Sequence, residues 1–283
     1  MITWLAHPLQ YPFMVNALLI GALVATVCAV LSCFLVLKGW SLMGDAVSHA
    51  VLPGIVLAHI LGIPLGLGAF GSGLFCAVAT GWIKNNSRIK EDTVMGIVFT
   101  GLFGLGLVMM TKVETDLHLN HILFGNLLGI TADMILQTLI IGSITLLIIV
   151  LKHRDLVLYC FDPAQASGCG LNTTVLHYLL LVLLALTIVT ALQAVGIILV
   201  IAMLITPGCV AYMLSDRFER MLVISVASAL FSCVTGVYAS FYMDASTGAC
   251  IVLAQSLQFV LVMYFAPKHG ILARRRRVNP FSQ

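Results

Sequence analysis

The sequence predicts an all-α polytopic membrane protein of about nine transmembrane helices, and three observations carry that reading. Of 283 residues, 61% are hydrophobic and 9% charged, where a typical soluble domain carries about a quarter charged residues. Apolar runs recur from residue 13 to residue 265, each near the ~20 residues that one bilayer crossing needs, so no separate soluble domain fits between them. The polar residues collect in short stretches between those runs. The chain therefore reads as a single membrane domain over 1–283, with a cytoplasmic segment at about 152–174 and a basic tail at 268–283.

The first run, 13–37, follows Met1 to Pro12, which has no basic region and no small-residue cleavage site. It is expected to stay in the protein rather than leave as a signal peptide. The second, 46–61, is short and broken by Pro53; if it does not cross, the count becomes eight. The third and fourth, 64–83 and 93–111, lie among many of the chain's 24 glycines, including Gly62, Gly66, Gly68, Gly71 and Gly73, then Gly96, Gly101, Gly104 and Gly106. Small residues let helix backbones approach closely in lipid, so tight helix packing is the expectation there, with pore lining as the alternative. The remaining runs are 131–151, 175–192, 194–214, 221–242 and 246–265. Pro207 removes the donor for the Met203 carbonyl and is expected to kink the seventh run, which makes it a candidate gate along with Pro53. Asp244, just before the last run, reads as its N-cap.

Lys and Arg are retained on the cytoplasmic side. Placing the stretches after the odd-numbered runs inside puts Lys38, Lys84, Arg88, Lys90, Lys152, Arg154, Arg217, Arg220, Lys268 and Arg274 to Arg277 in the cytoplasm, thirteen of fourteen basic residues, and leaves only Lys112 outside. The C-terminus is then cytoplasmic. The net charge of +3 rests mostly on the tail arginines, which read as a topology signal; no nucleic-acid partner is expected. The eight cysteines show no C-x-x-C pair and no zinc-finger spacing, so they read as small buried apolar residues that need no disulfide framework.

Of eleven carboxylates, only Asp45 sits within an apolar stretch, and His49 follows four residues later. That spacing sets carboxylate and imidazole on one helix face, one turn apart, with Ser48 on the border of that face. Pro53 has no N–H, so the His49 carbonyl loses its usual partner and is expected to be free for an ion or water. Carboxylate, imidazole and carbonyl together suit a borderline divalent cation such as Mn²⁺, Fe²⁺ or Zn²⁺. Two other readings stay open: an Asp–His hydrogen bond that pins two helices, or a pair at the membrane edge. Asp162-Pro163 can start a short helix that Gly168 or Gly170 stops. In the outside loop, Glu114, Asp116, His118 and His121 are candidates for receiving an ion, with a solvated loop as the alternative. His59, ten residues past His49, lies about 15 Å further along a helix and is a candidate for the outer vestibule. No G-x-x-x-x-G-K-[ST] phosphate loop is present, so this chain is not expected to be an enzyme or to supply energy itself.

Three segments together carry a family resemblance: Gly44-Asp45-Ala46-Val47-Ser48-His49-Ala50-Val51-Leu52-Pro53-Gly54, Leu123-Phe124-Gly125-Asn126-Leu127-Leu128-Gly129-Ile130, and Val195-Gly196-Ile197-Ile198-Leu199-Val200-Ile201-Ala202-Met203-Leu204-Ile205-Thr206-Pro207. In this order they resemble the permeases of metal-importing ABC transporters for manganese, zinc and iron, most closely those of enterobacterial manganese/iron type. The resemblance runs over about residues 12–268. It implies a type II importer-like permease of the bacterial inner membrane, with Asp45 and His49 on the positions of the intramembrane cation site. It implies partners too: a second permease subunit, identical or related, two cytoplasmic ATP-binding subunits, and a periplasmic or lipid-anchored metal-binding protein. No tightly bound cofactor is implied, only a transported ion, Mn, Fe or Zn. Phe161 and the segment Asp162, Pro163, Ala164, Gln165, Ala166, Ser167 and Gly168, continuing to Gly170, resemble the segment that docks on the ATPase, with Gln165 and Ser167 departing from the usual acidic or bulkier residues. A zinc permease of the same family is the near alternative. A gradient-driven secondary metal transporter and a membrane assembly factor or receptor are the alternatives from other classes, and co-purification with an ATPase separates them.

Overall fold

The computed structural model describes residues 10–40, 42–112, 132–266 and 270. The outside-loop candidates Glu114, Asp116, His118 and His121, the 123–130 segment and the tail arginines lie outside these residues.

Among the described residues, nine helices are long and apolar enough to cross a bilayer, one for each predicted run. We number the helices α1 (Pro12–Lys38), α2 (Met43–Ala50), α3 (Leu52–Leu61), α4 (Leu65–Asn86), α5 (Glu91–Lys112), α6 (Ala132–Leu151), α7 (His153–Phe161), α8 (Pro163–Gly168), α9 (Thr173–Val195), α10 (Ile197–Leu214), α11 (Phe218–Met243) and α12 (Thr247–Phe265). The second span is α2 and α3 in line, Met43–Leu61, so the count of nine holds. Two helices that are too short to cross, α7 and α8, fill the 152–174 stretch.

Two packing groups build the bundle. In one, α10 packs on α1, α11 and α12, and α1 on α11; in the other, α2 and α3 pack on α4 and α5. The largely buried α9 joins them, touching α1, α2, α4, α6 and α10. Peripheral α5, α6 and α12 instead expose large side chains such as Ile97, Val108, Leu136, Leu147, Leu253 and Leu257. Such surfaces would be costly in water, whereas hydrocarbon solvates them and leaves only backbone groups to be satisfied internally, which a helix does.

Glycine sets the closest approach. Where α3 crosses α4, a β-carbon on Gly54 would run into the Gly68 carbonyl oxygen, and one on Gly68 would run into that of Gly54. Gly73 lies against Val47 and Gly106 against Leu52 and the Pro53 nitrogen, so the expected glycine packing holds at these sites. It does not hold at Gly71, Gly96, Gly101 and Gly104, where an added β-carbon would meet nothing within 4 Å among the described residues.

Pro207 lies inside α10, which runs on to Leu214. Ser32 of α1 bonds the backbone on both sides of it: its hydroxyl accepts from the Gly208 N–H at 3.0 Å and donates to the Ile205 carbonyl at 3.3 Å. Asp244 corrects the sequence reading. It is the left-handed C-cap of α11, at φ 48°, and the cap position before α12 belongs to Ser246. Four residues after Ser240, the chain turns so tightly that the Ser240 hydroxyl donates to the Ala245 carbonyl at 2.7 Å.

The glycine crossing generates a stability test. Gly68→Ala is expected to overpack it and cost about 1–3 kcal/mol, while Gly71→Ala should be neutral or slightly stabilising. Melting curves of the detergent-purified protein separate the two; equal loss at both positions would show that the crossing is not the close contact described.

Candidate functional site

The second span breaks at Val51, and the break follows from Pro53. With no Pro53 N–H to bond the His49 carbonyl, α2 ends, and the Val51 N–H reaches back to that carbonyl. The Ala50 carbonyl accepts the Ser72 hydroxyl of α4 at 2.6 Å. The carbonyl expected to be free for an ion therefore already has a donor.

Packing grips α2 and α3 on several sides: Gly44 meets Leu204 of α10 at 3.1 Å from its built β-carbon, Val47 meets Gly73, and Leu52 meets Gly106. From Met43 to Val56 every residue is buried except Asp45 and His49. These two share the remaining face, with His49 Nε2 3.3 Å from Asp45 Oδ1 and side-chain exposures of 29% and 34% respectively. The imidazole lies among aromatic rings of α5, stacked with Phe99 at 6.3 Å and edge-on to Phe103 at 5.4 Å. Phe99 and Phe103 escaped the sequence reading, although their spacing of four on an apolar run is the signal that could have found them. Ser48 is turned into the packed side, where its hydroxyl donates to the Gly44 carbonyl at 2.7 Å. His59 is exposed in the last turn of α3, beyond the break, and belongs to a different level of the bundle.

Chemically the pair offers one carboxylate oxygen and one imidazole nitrogen side by side. Among the described residues no group of three or more His, Cys, Asp and Glu comes together. One chain could thus offer two ligands to an ion, both partly exposed.

The 162–170 segment folds as its sequence suggests. Asp162 caps α8, its Oδ1 accepting from the Ala164 and Gln165 N–H groups at 2.9 and 3.0 Å, and Pro163 takes the first position. Gly170, at φ +82°, turns the chain so that the Leu171 N–H closes on the Ala166 carbonyl. Only Ala166 of the Phe161–Gly170 run is buried; the other residues face outward. Nearby, burial pushes the Cys160 thiol up to about 12, with Lys38 drawing it partly back, whereas Cys169 is exposed and departs from the reading of the cysteines as buried.

A second group that sequence reasoning missed joins α7 to the bundle. The Tyr159 hydroxyl is 3.0 Å from His177 Nδ1, Lys38 Nζ sits 3.9 Å above the Tyr159 ring, and the Trp40 ring meets His177 edge-on at 5.2 Å. These residues are scattered along 140 positions of sequence, and no local pattern links them.

Residues 10–266 match the ABC 3 transport family. The manganese transport system membrane protein MntB of Synechocystis sp. is 57% identical over 279 residues, 98% of this chain and 91% of that protein. The chelated iron transport system membrane protein YfeD of Yersinia pestis is also 57% identical over 279 residues, 99% and 93% of the two chains. Among solved structures, PsaBC from Streptococcus pneumoniae in complex with Fab is similar at 37% identity and a TM-score of 0.86, covering 99% of this chain and 100% of that one. The resemblance drawn from the three sequence segments is borne out across all nine candidate spans, and the chain belongs to the ABC 3 transport family.

Proposed function

We propose that this chain is the membrane permease subunit of an ATP-driven importer for divalent transition metals, with manganese and ferrous iron as cargo. The observation that carries the reading is the Asp45/His49 pair, the only unburied residues between Met43 and Val56, on a membrane-spanning helix. Ionisable groups at membrane depth are expensive and concentrate on ion paths. A carboxylate beside an imidazole suits Mn²⁺ and Fe²⁺, where an all-oxygen set would suit Ca²⁺ or Mg²⁺. The relatives named for manganese and iron transport support the same cargo.

Two ligands hold an ion poorly. A second permease across a twofold or pseudo-twofold axis would bring another pair and make four. The absence of thiolate from this turn fits a site that must release its ion again. The chain has no phosphate loop, so ATP hydrolysis falls to separate cytoplasmic subunits docked on the outward-facing residues of α8, and a metal-binding protein delivers the ion from the other side. The basic residues argue for α7, α8 and the C-terminus in the cytoplasm of a bacterial inner membrane. ATP-driven closure would then shift the population between states in which the pair faces opposite sides.

Asp45→Asn keeps size and hydrogen bonding but removes the charge, and His49→Ala removes the nitrogen ligand. Either is expected to lower metal uptake at least about tenfold, the loss that even an outer partner of a metal ligand can produce, with normal membrane insertion and ATPase binding. Radiometal uptake in cells lacking other importers measures this, and wild-type uptake by well-assembled variants would remove the basis for the site. For orientation, a chain retaining Cys169 as its single cysteine should resist impermeant thiol reagents in intact cells and react after permeabilisation; labelling from outside would sink the docking assignment as well. A Gln165→Trp, Ser167→Trp double variant should insert normally yet disconnect ATP hydrolysis from transport, and undiminished uptake by it would count against α8 as the docking helix.

A further inference from the structure

We infer that Tyr159 and His177 form the joint through which movement of α7 and α8 reaches the helix bearing Asp45 and His49. The inference rests on the permease reading above and adds to it positioning residues that touch neither the ion nor ATP.

Displacement at α8 has to enter the bundle through groups that are both buried and shared between elements. The helix itself holds on through one buried residue, Ala166. Behind it, α7 is anchored by Leu156, Tyr159 and Cys160, and of these only Tyr159 makes a directional bond into another element, to His177 near the start of α9. His177 is a meeting point. On its far side Nε2 faces Gly81 of α4, where an added β-carbon would lie 3.0 Å away, and its edge meets the Trp40 ring.

Trp40 leads directly to the pair. Gly39, at φ +75°, ends α1 in the left-handed conformation that glycine adopts without strain. The Trp40 N–H then returns to the Leu35 carbonyl at 2.9 Å, and the Trp40 carbonyl accepts from the Met43 N–H at 3.1 Å. Met43 begins α2, and Asp45 lies in its first turn. Lys38, over the Tyr159 ring, ties the end of α1 to the same point. Trp40 is 2% exposed and its Nε1–H has no acceptor among the described residues, the kind of buried donor that calls for an explanation.

A merely structural role and a coupling role differ in what they do to stoichiometry. The test uses the complete complex of permeases, ATPases and binding protein in proteoliposomes, recording ATP hydrolysed and metal imported together. Tyr159→Phe keeps the ring, its burial and its contact with Lys38 and removes only the hydroxyl. It is expected to hydrolyse ATP near the wild-type rate while metal imported per ATP falls about three- to tenfold, the weight of one hydrogen bond. His177→Leu should lose as much, and the double variant no more than either single one, because both remove the same bond. His177→Asn, which returns an acceptor near the Nδ1 position, should recover part of the ratio. Wild-type stoichiometry in Tyr159→Phe overturns the inference, and so does a proportional fall of hydrolysis, uptake and melting temperature. A wild-type complex that hydrolyses ATP but imports no metal would overturn the permease reading instead, and would be recognised by flat uptake in every variant.

Discussion

A break in a helix inside a membrane survives only if neighbouring elements take over its backbone groups, and the rest of this structure is organised around one such break at Val51. Pro53 causes it, and Ser72 and the Val51 N–H satisfy the carbonyls it releases. The glycine crossing of Gly54 on Gly68 brings α4 close enough for Ser72 to do so. The same close packing buries every side of α2 but one, which is why the polar pair has a single direction in which to point.

The pair's chemistry follows from that confinement. Asp45 and His49 are held by each other and by aromatic rings, and among the described residues no third His, Cys, Asp or Glu joins them. Phe99 and Phe103 pack against the imidazole, and its Nε2 faces the Asp45 carboxylate. A tight resident site usually fixes each ligating histidine with a second hydrogen bond; the packing of His49 against rings fits the transient site proposed above.

Much of this was legible in the sequence. The nine spans appear as apolar runs because hydrocarbon solvates every exposed face and amphipathic periodicity is not needed to mark it. The Asp162-Pro163 start and Gly170 stop of α8 were visible because caps are local chemistry. What the sequence hid was long-range or depended on competition between neighbours. The His49 carbonyl looked free because only Pro53 was considered, not the Val51 N–H. Asp244 looked like the cap of the following helix because a left-handed C-cap and an N-cap draw on the same residue types. Ser32 bonding the backbone beside Pro207 and Tyr159 meeting His177 join residues far apart in the chain, and only the fold brings them together.

The glycines that found no neighbour bear on assembly. Gly96, Gly101 and Gly104 lie on α5, the helix that also carries Phe99 and Phe103, and a β-carbon there would meet nothing within 4 Å among the described residues. Glycine in a helix interior forgoes about 1 kcal/mol relative to alanine, and an isolated chain gains nothing in return at these positions. Close approach of another helix would be the return, since small residues are what allow backbones to meet in lipid. Under the proposed pairing of permeases, a partner helix against this side of α5 would supply that return beside the helix that packs on His49.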